Sequence, residues 1–194
     1  MEELIENFRL ETNRLIIRRF KADDWEDLYE YLSDPDVVRF EPYEVFSIKQ
    51  AKEEAENRSK IESFFAVCLK ASGKLIGNIY IQQGDFGTWE LGYVFNSKYQ
   101  GCGYATEAAK AIVSNAFKNW GARRIVAMCN PLNTPSWKLL ERLGMRREGT
   151  LIKNVYFKSN DEGEPIWSDT YEYGLLKEEF RTNENAVLKE EFLY

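Results

Sequence analysis

The chain has 194 residues, a length that suits one folded core, and 44% hydrophobic with 14% aromatic content can fill that core, which argues against disorder. It has no histidine, which excludes Ser-His-Asp and Cys-His catalysis, histidine-ligated metals and the H-E-x-x-H class, so acid–base work falls to carboxylates, tyrosines, lysines or cysteines. A net charge of −6 disfavours nucleic acid held by counterion release and favours a cationic partner. No run reaches the roughly 18 apolar residues of a membrane span. The opening MEELIENFRLET lacks the basic-then-apolar plan of a signal peptide, so a cytoplasmic protein is expected. Cys68, Cys102 and Cys129 are odd in number and unclustered; reduced, mostly buried thiols are expected rather than a disulfide framework or a metal site.

In chain order, NRLIIRRF (13–20) is an apolar run between arginines and predicts a strand. ADDWEDLYEYL (22–32) sets Trp25, Leu28, Tyr29 and Leu32 at helical spacing, and SDP (33–35) ends that helix, because the residue before proline avoids helical backbone. VVRFEPYEVFS is irregular and aromatic, suited to packing or to a substrate wall, whereas IKQAKEEAENRSK is charged and helix-forming. SFFAVCLKASGKLIGNIYIQQ (63–83) reads as two strands turning at Ser72-Gly73, and TWELGYVFN (88–96) as a third, so an antiparallel sheet is expected.

Beyond KYQGCG, residues Ala109, Ile112, Val113, Ala116, Phe117 and Trp120 follow the pattern of a helix lying on a sheet, with Gly121 as its cap. RRIVAMC (123–129) is a buried strand, parallel to its predecessor because a helix joins them. NTPSWKLLERLG (133–144) predicts a second helix, with Thr134 as N-cap, Pro135 at the first helical position and Gly144 at the C-terminal cap. TLIKNVYF (150–157) and SDTYEYGLL (168–176) are further strands around the turn-rich KSNDEGEP. One α/β domain over residues 9–180 is expected, followed by a tail at 181–194 that is a short amphipathic helix or a frayed end.

Gly101 and Gly103 sit one residue apart where a strand hands over to a helix. A tight turn alone explains them, since glycine accepts positive φ. So does an anion on the backbone N–H groups, because a helix start offers unpaired donors and the positive end of a dipole. Two familiar phosphate loops fail on residues. The P-loop ends in Gly-Lys-Ser/Thr, where this chain has Tyr104 and Ala105, and the dinucleotide fingerprint needs a third glycine where Thr106 stands.

Gln100-Gly101-Cys102-Gly103-Tyr104-Ala105 resembles the acyl-CoA signature Arg/Gln-x-x-Gly-x-Gly/Ala of the GCN5-related N-acetyltransferase superfamily. NRLIIRRFKADDWEDLYEYLSDPDV is similar to the opening of the branch typified by ribosomal-protein N-terminal acetyltransferases. ELGYVFNSKYQGCGYATEA resembles its central motif, NPLNTPSWKLLERLGMRREGTL its second cofactor motif, and WSDTYEYGLLKEEF its ending, so the likeness covers most of residues 9–180 in order. It implies a mixed, mostly antiparallel sheet that splays between its fourth and fifth strands, here WELGYVF and RRIVAMC, with the pantetheine arm of acetyl-CoA in the gap.

The resemblance implies that Gln100 to Ala105 offer backbone N–H groups to the pyrophosphate and that Tyr93, Val94 and Phe95 offer main-chain groups to the pantetheine and thioester. Asn133 corresponds to an asparagine that binds the amide-rich arm, with Asn130 assisting; a capping role is the alternative for Asn133. Lys138 and Arg142 lie near enough in sequence to approach the nucleotide phosphates or to be solvated. The implied reaction is direct aminolysis of the thioester. It needs a base, for which Glu90 is the first candidate and Glu41 the second; a solvent-facing sheet carboxylate is the plain reading of Glu90. Many members place a tyrosine in the second motif helix to serve the leaving thiolate, but Leu140 stands there, and Ser136, three residues after Asn133, fits the serine of the ribosomal-protein branch. Tyr104 and Tyr156 are further hydroxyls. No covalent acetyl-Cys102 is required, and no metal. The acceptor amine is a protein N-terminus or a polyamine, amino acid or aminoglycoside; a catalytically idle acyl-CoA-binding module is the alternative, and the assembly is a monomer or a homodimer.

Overall fold

A computed structural model describes residues 8–180, so the tail expectation lies outside the described residues. Eight strands form one sheet: β1 (Arg9–Glu11), β2 (Leu15–Arg19), β3 (Phe64–Leu69), β4 (Leu75–Gln83), β5 (Thr88–Phe95), β6 (Arg124–Cys129), β7 (Arg146–Ser159) and β8 (Pro165–Leu176). It is flanked by the α-helices α1 (Trp25–Leu32), α2 (Ile48–Lys60), α3 (Tyr104–Lys118) and α4 (Thr134–Arg142). The strand order is β1-β2-β3-β4-β5-β6-β8-β7, and each neighbouring pair is antiparallel except β5–β6. The α/β class, the hairpin at Gly73, the third antiparallel strand and the parallel crossover through a helix all agree with the sequence patterns.

Alternation along the strands divides the apolar residues between two cores. Leu15, Ile17, Phe65, Val67, Ile79, Leu91, Phe95 and Ile125 pack against Ile112, Val113, Ala116 and Phe117 of α3 and Leu139 and Leu140 of α4. On the opposite face Ala66, Cys68 and Leu75 meet Leu28, Tyr31 and Leu32 of α1 and Ala55 of α2. Each fully buried Leu, Ile or Phe contributes about 1.5–3 kcal/mol, so these stripes dock the helices. The second core also holds a polar knot: Asn78 Oδ1 accepts from Tyr31 Oη at 2.8 Å and from Arg58 Nη1 at 3.0 Å, while Arg58 Nε donates to Glu54 at 2.7 Å.

Three local expectations change. A short strand, β1, precedes the first one read from sequence and pairs with β2. The N-cap of α4 is Asn133, whose side chain accepts from Ser136 N, so Thr134 and Pro135 each sit one position further into the helix; the asparagine carboxamide reaches the first-turn N–H from a non-helical backbone that turns into the helix at Thr134. The last two strands are also longer than their β-rich centres, because β7 and β8 pair with each other out to Ser159↔Pro165. Of the cysteines, Cys68 and Cys129 are buried and Cys102 is exposed.

A wedge in the sheet and a clamp on α3 are the two features of the fold that shape the candidate site. β5 and β6 pair only at Thr88↔Arg124, Trp89↔Ile125 and Glu90↔Val126; β5 then runs on along β4 to Phe95 and β6 along β8 to Cys129, leaving a wedge between them. The β1–β2 turn clamps the start of α3. Glu107 accepts from Thr12 Oγ1 at 2.6 Å, from Arg14 N at 2.9 Å and from Arg14 Nε at 2.7 Å. Arg14 Nη1 also donates to Cys102 O at 3.0 Å, and the guanidinium lies 4.4 Å from the Tyr104 ring centroid.

Replacing Asn78 by alanine strands a buried hydroxyl and a buried guanidinium N–H, and a loss of about 3 kcal/mol in urea unfolding is expected, against about 1 kcal/mol for Tyr31→Phe. Burial alone would raise the Glu107 carboxyl, yet the hydrogen bonds from Thr12 and from the Arg14 backbone and side chain outweigh it and hold the group below the ordinary carboxylate range. With the folded value depressed, the clamp's contribution is complete above about pH 4.3 and fades as pH falls through the folded value. Glu107→Gln should therefore unfold at lower denaturant than the parent at pH 7, with the difference shrinking below about pH 4. A difference that stays constant across that range would remove the carboxylate charge from the clamp.

Candidate active site

The glycine turn comes after a 3-10 turn over Ser97–Tyr99, whose closing bond runs from Gln100 N to Ser97 O at 3.2 Å. Gly101 and Gly103 have φ of 75° and 79°, left-handed backbone that side-chain-bearing residues rarely adopt. The first helical bond of α3 runs from Glu107 N to Gly103 O, so the N–H groups of Gly103, Tyr104, Ala105 and Thr106 have no intrahelical acceptor. A Cβ at Gly101 would meet nothing within 4 Å, and one at Gly103 only Arg14 Nη2 at 3.5 Å. Within the protein the glycines thus answer to backbone conformation, and the space a side chain would take at either is not filled by the rest of the chain. Gln100 differs from its neighbours in having its N–H already committed.

Sequence reasoning missed Arg14, which stands beside this turn and lines a 440 Å³ cleft with Asn13, Leu69, Lys70, Ala71 and Tyr104. Its only signal was an arginine at the lip of the first strand. Arg142 reaches the same region from α4, with Nε 3.3 Å from Thr106 Oγ1, whereas exposed Lys138 lies over Trp137.

The wedge carries the second group. Along the stretch of β5 beyond Glu90, the edge facing β6 has no ladder, so alternate backbone groups between Leu91 and Phe95 face the gap. Phe95 is buried in the α3 core and Val94 packs toward α1. The Tyr93 side chain crosses to α4, where its Oη lies 3.0 Å from both the carbonyl oxygen and the Oγ of Ser136. Burial pushes the Cys129 thiol up to about 11, against an opposing influence from Ser136. Burial likewise pushes the Tyr93 phenol well above its ordinary value. The structure therefore gathers Tyr93, Cys129 and Ser136 at one wall of the wedge.

Asn130 and Asn133 shape the turn before α4. Asn130 Oδ1 accepts from Leu132 N at 2.9 Å, and Asn133 Oδ1 accepts from Ser136 N at 3.3 Å; these bonds occupy the carboxamide oxygens and not the amide N–H groups. Leu140, at the helix position where a tyrosine would serve the thiolate, is buried in the core.

Glu90 lies on the opposite face of β5 from Tyr93, at the base of the wedge. It is exposed and lines a 490 Å³ cleft with Gln82, Gln83, Gly84, Asp85, Thr88 and Val126. Glu41, in the loop between α1 and α2, is half-buried; burial raises its carboxyl against the opposing hydrogen bond from Tyr43. That loop meets the β7–β8 hairpin through Glu44 and Lys158 at 4.0 Å, and in the hairpin Tyr156 packs edge-on against Trp167. Among the described residues there is no group of three His, Cys, Asp or Glu side chains able to hold a metal, and no helix long and apolar enough to cross a membrane.

Comparison with known proteins places this geometry. Residues 14–146 match the family described as an acetyltransferase (GNAT) domain. An uncharacterized N-acetyltransferase of Bacillus subtilis, YnaD, is 41% identical over 172 residues, covering 87% of this chain and 97% of YnaD. The crystal structure of a GNAT-family acetyltransferase from Bacillus anthracis has a TM-score of 0.80 at 37% identity, covering 88% of this chain and 99% of that one. The fold of a ribosomal-protein-S5-alanine acetyltransferase from Vibrio fischeri aligns with a TM-score of 0.73 at 22% identity, covering 90% of this chain and 99% of that one. The chain is a member of the GNAT acetyltransferase family, an acyltransferase built on a single-domain α/β fold.

Proposed function

We propose that the protein transfers an acetyl group from acetyl-CoA to a primary amine by direct attack, and that the acceptor is the N-terminal amine of a ribosomal or other protein. The observation that carries the reading is the pairing of an unsatisfied helix start, behind the left-handed Gly101 and Gly103, with the open wedge beyond Glu90. Free N–H groups and the positive end of the α3 dipole suit a pyrophosphate, and Arg142 adds positive charge beside them, while the charge of Arg14 is matched by Glu107. A pantetheine arm running from that turn along the unpaired edge of β5 would bring its thioester between the two faces of the strand. There a backbone N–H of β5 can stabilise the developing oxyanion. Asn130 and Asn133 keep amide N–H groups free for the arm.

In this reading Glu90 takes the amine proton on one face of β5, directly or through a water, and Ser136 faces the leaving sulfur on the other. An α-amino group, with a pKa of about 7.7–8.0, arrives partly neutral at physiological pH, whereas an alkyl amine near 10 arrives charged. Glu90 is exposed, which suits an acceptor that gives up its proton with little help. The fold shared with the S5-alanine acetyltransferase supports the same choice. A small cationic amine is the competing acceptor, and the net charge of −6 suits both kinds of amine alike.

The deciding experiment incubates the protein with isotopically labelled acetyl-CoA and a panel of ribosomal-protein N-terminal peptides, polyamines, amino acids and amino sugars, then identifies the products by mass spectrometry. Label on a peptide α-amine is expected; label only on small amines overturns the protein acceptor, and saturable acetyl-CoA binding with no turnover on any amine would mark a binding module. Gly103→Ala should raise the Michaelis constant for acetyl-CoA about tenfold, from about 1–2 kcal/mol of left-handed strain at the turn. An unchanged constant would remove the turn from the site.

A further inference from the structure

We infer that Tyr93 is a positioning residue that commits the Ser136 hydroxyl hydrogen to the sulfur of the departing thiolate. The inference rests on the assignment of Ser136 to the leaving sulfur. Hydrogens are scarce at this wall. Tyr93 Oη lies 3.0 Å from two oxygens of the same residue, the Ser136 carbonyl and the Ser136 hydroxyl, and has one hydrogen to give.

When the tyrosine donates to the carbonyl, the serine hydroxyl is left to donate to the tyrosine oxygen, and its hydrogen stays within the wall. When the tyrosine donates to Ser136 Oγ, the serine hydrogen is released toward the wedge. The two arrangements use the same atoms at the same distances and differ only in which oxygen receives the tyrosine hydrogen. A negative charge on sulfur favours the second, because hydrogen bonds to charged groups are worth more than neutral ones and a donor chain is polarised along its length.

The chain moves no proton. As the amine attacks, its nitrogen lone pair forms the new C–N bond, the C–S bond breaks, and that electron pair leaves on sulfur. The amine proton departs on the opposite face. An alkyl thiol has a pKa of about 8.5, well below that of an alcohol, so proton transfer from Ser136 to the thiolate would run uphill. Burial keeps the Tyr93 phenol protonated, which preserves it as a donor and unfits it as an acid. The pair therefore stabilises the thiolate as two hydrogen bonds in series. A tyrosine on β5 thus supports the leaving group from the strand, in a chain whose helix position is Leu140.

The test reads the sulfur itself and needs no acceptor. CoA labelled with carbon-13 at the carbon bonded to sulfur reports thiol against thiolate by its chemical shift. In the parent protein the bound thiol should titrate below its free value. Ser136→Ala should raise that pKa by about one unit or more. Tyr93→Phe, which keeps the ring in place, should raise it by most of that amount, and the double variant no further than Ser136→Ala alone. Fluorotyrosine placed at position 93, a stronger donor, should lower the value below the parent's.

A Tyr93→Phe protein that binds CoA differently while the thiol titrates as in the parent would reduce Tyr93 to packing. Additive shifts in the double variant would show that it acts apart from Ser136. If Ser136→Ala leaves the titration unchanged, Ser136 is not at the sulfur and the inference falls with it. Acetyl transfer is read separately, on the parent protein in the labelled-product assay, so failure of this inference and failure of the proposed reaction are distinguishable.

Discussion

The parallel contact between β5 and β6 lasts three residue pairs, and most of the site depends on where it stops. A longer ladder would close the sheet into an ordinary α/β platform with no backbone left over. A shorter one would sever the two halves, since β6, β8 and β7 hang on the rest of the sheet through that contact alone. Stopping at Glu90 and Val126 keeps the sheet continuous while leaving the end of β5 with polar backbone on one edge. Unpaired backbone groups in a half-buried gap are costly unless something supplies partners, and the amides of an extended acyl carrier are of the right kind. α3 and α4 then close one side of the opening, with the apolar stripes of both helices packed into a common core.

The charges around the opening are arranged without histidine. Arginine does the fixed work: Arg14 and Arg142 stand at the start of α3, and Arg58 is buried in the second core with Glu54 and Asn78 as partners. Carboxylates divide by partner. Glu107 is held charged by Thr12 and by the backbone and side chain of Arg14, whereas Glu90 is exposed at the mouth of a cleft. Hydroxyls and thiols with raised pKa line the inner wall, so that surface stays neutral.

Sequence carried the scaffold well because its signals are local. The 3.6-residue stripe of α3, the turn at Gly73 and the β-rich run before Gly101 each need only a dozen neighbouring residues to be read. The short β1 was invisible because three residues carry no periodicity, and its strand character comes from pairing with β2. Thr134 competes with Asn133 as the cap of α4, since both are good caps and adjacent; only the backbone entering the helix decides between them. Two site features have no local signal at all. Arg14 acts on a turn far along the chain, and Tyr93 reads as an ordinary inward-facing strand residue until α4 is laid across it. The stretch Tyr93 to Phe95 stands out in the sequence for its backbone, and the side chain of its first residue turns out to have its own partners.

The contact between Arg14 and Glu107 spans 93 positions in sequence, and that separation governs how the molecule comes into being. A chain made from its N-terminus presents the β1–β2 segment long before α3 exists, so the residues that will brace the glycine turn precede by far the segment they hold. Closing a loop of that size costs entropy that no local contact repays, and contacts of this separation slow folding more than they affect final stability. The turn is thus braced only once segments far apart in the chain have come together. A nascent or partly folded chain would hold the sequence of the glycine turn without the contacts that brace its shape.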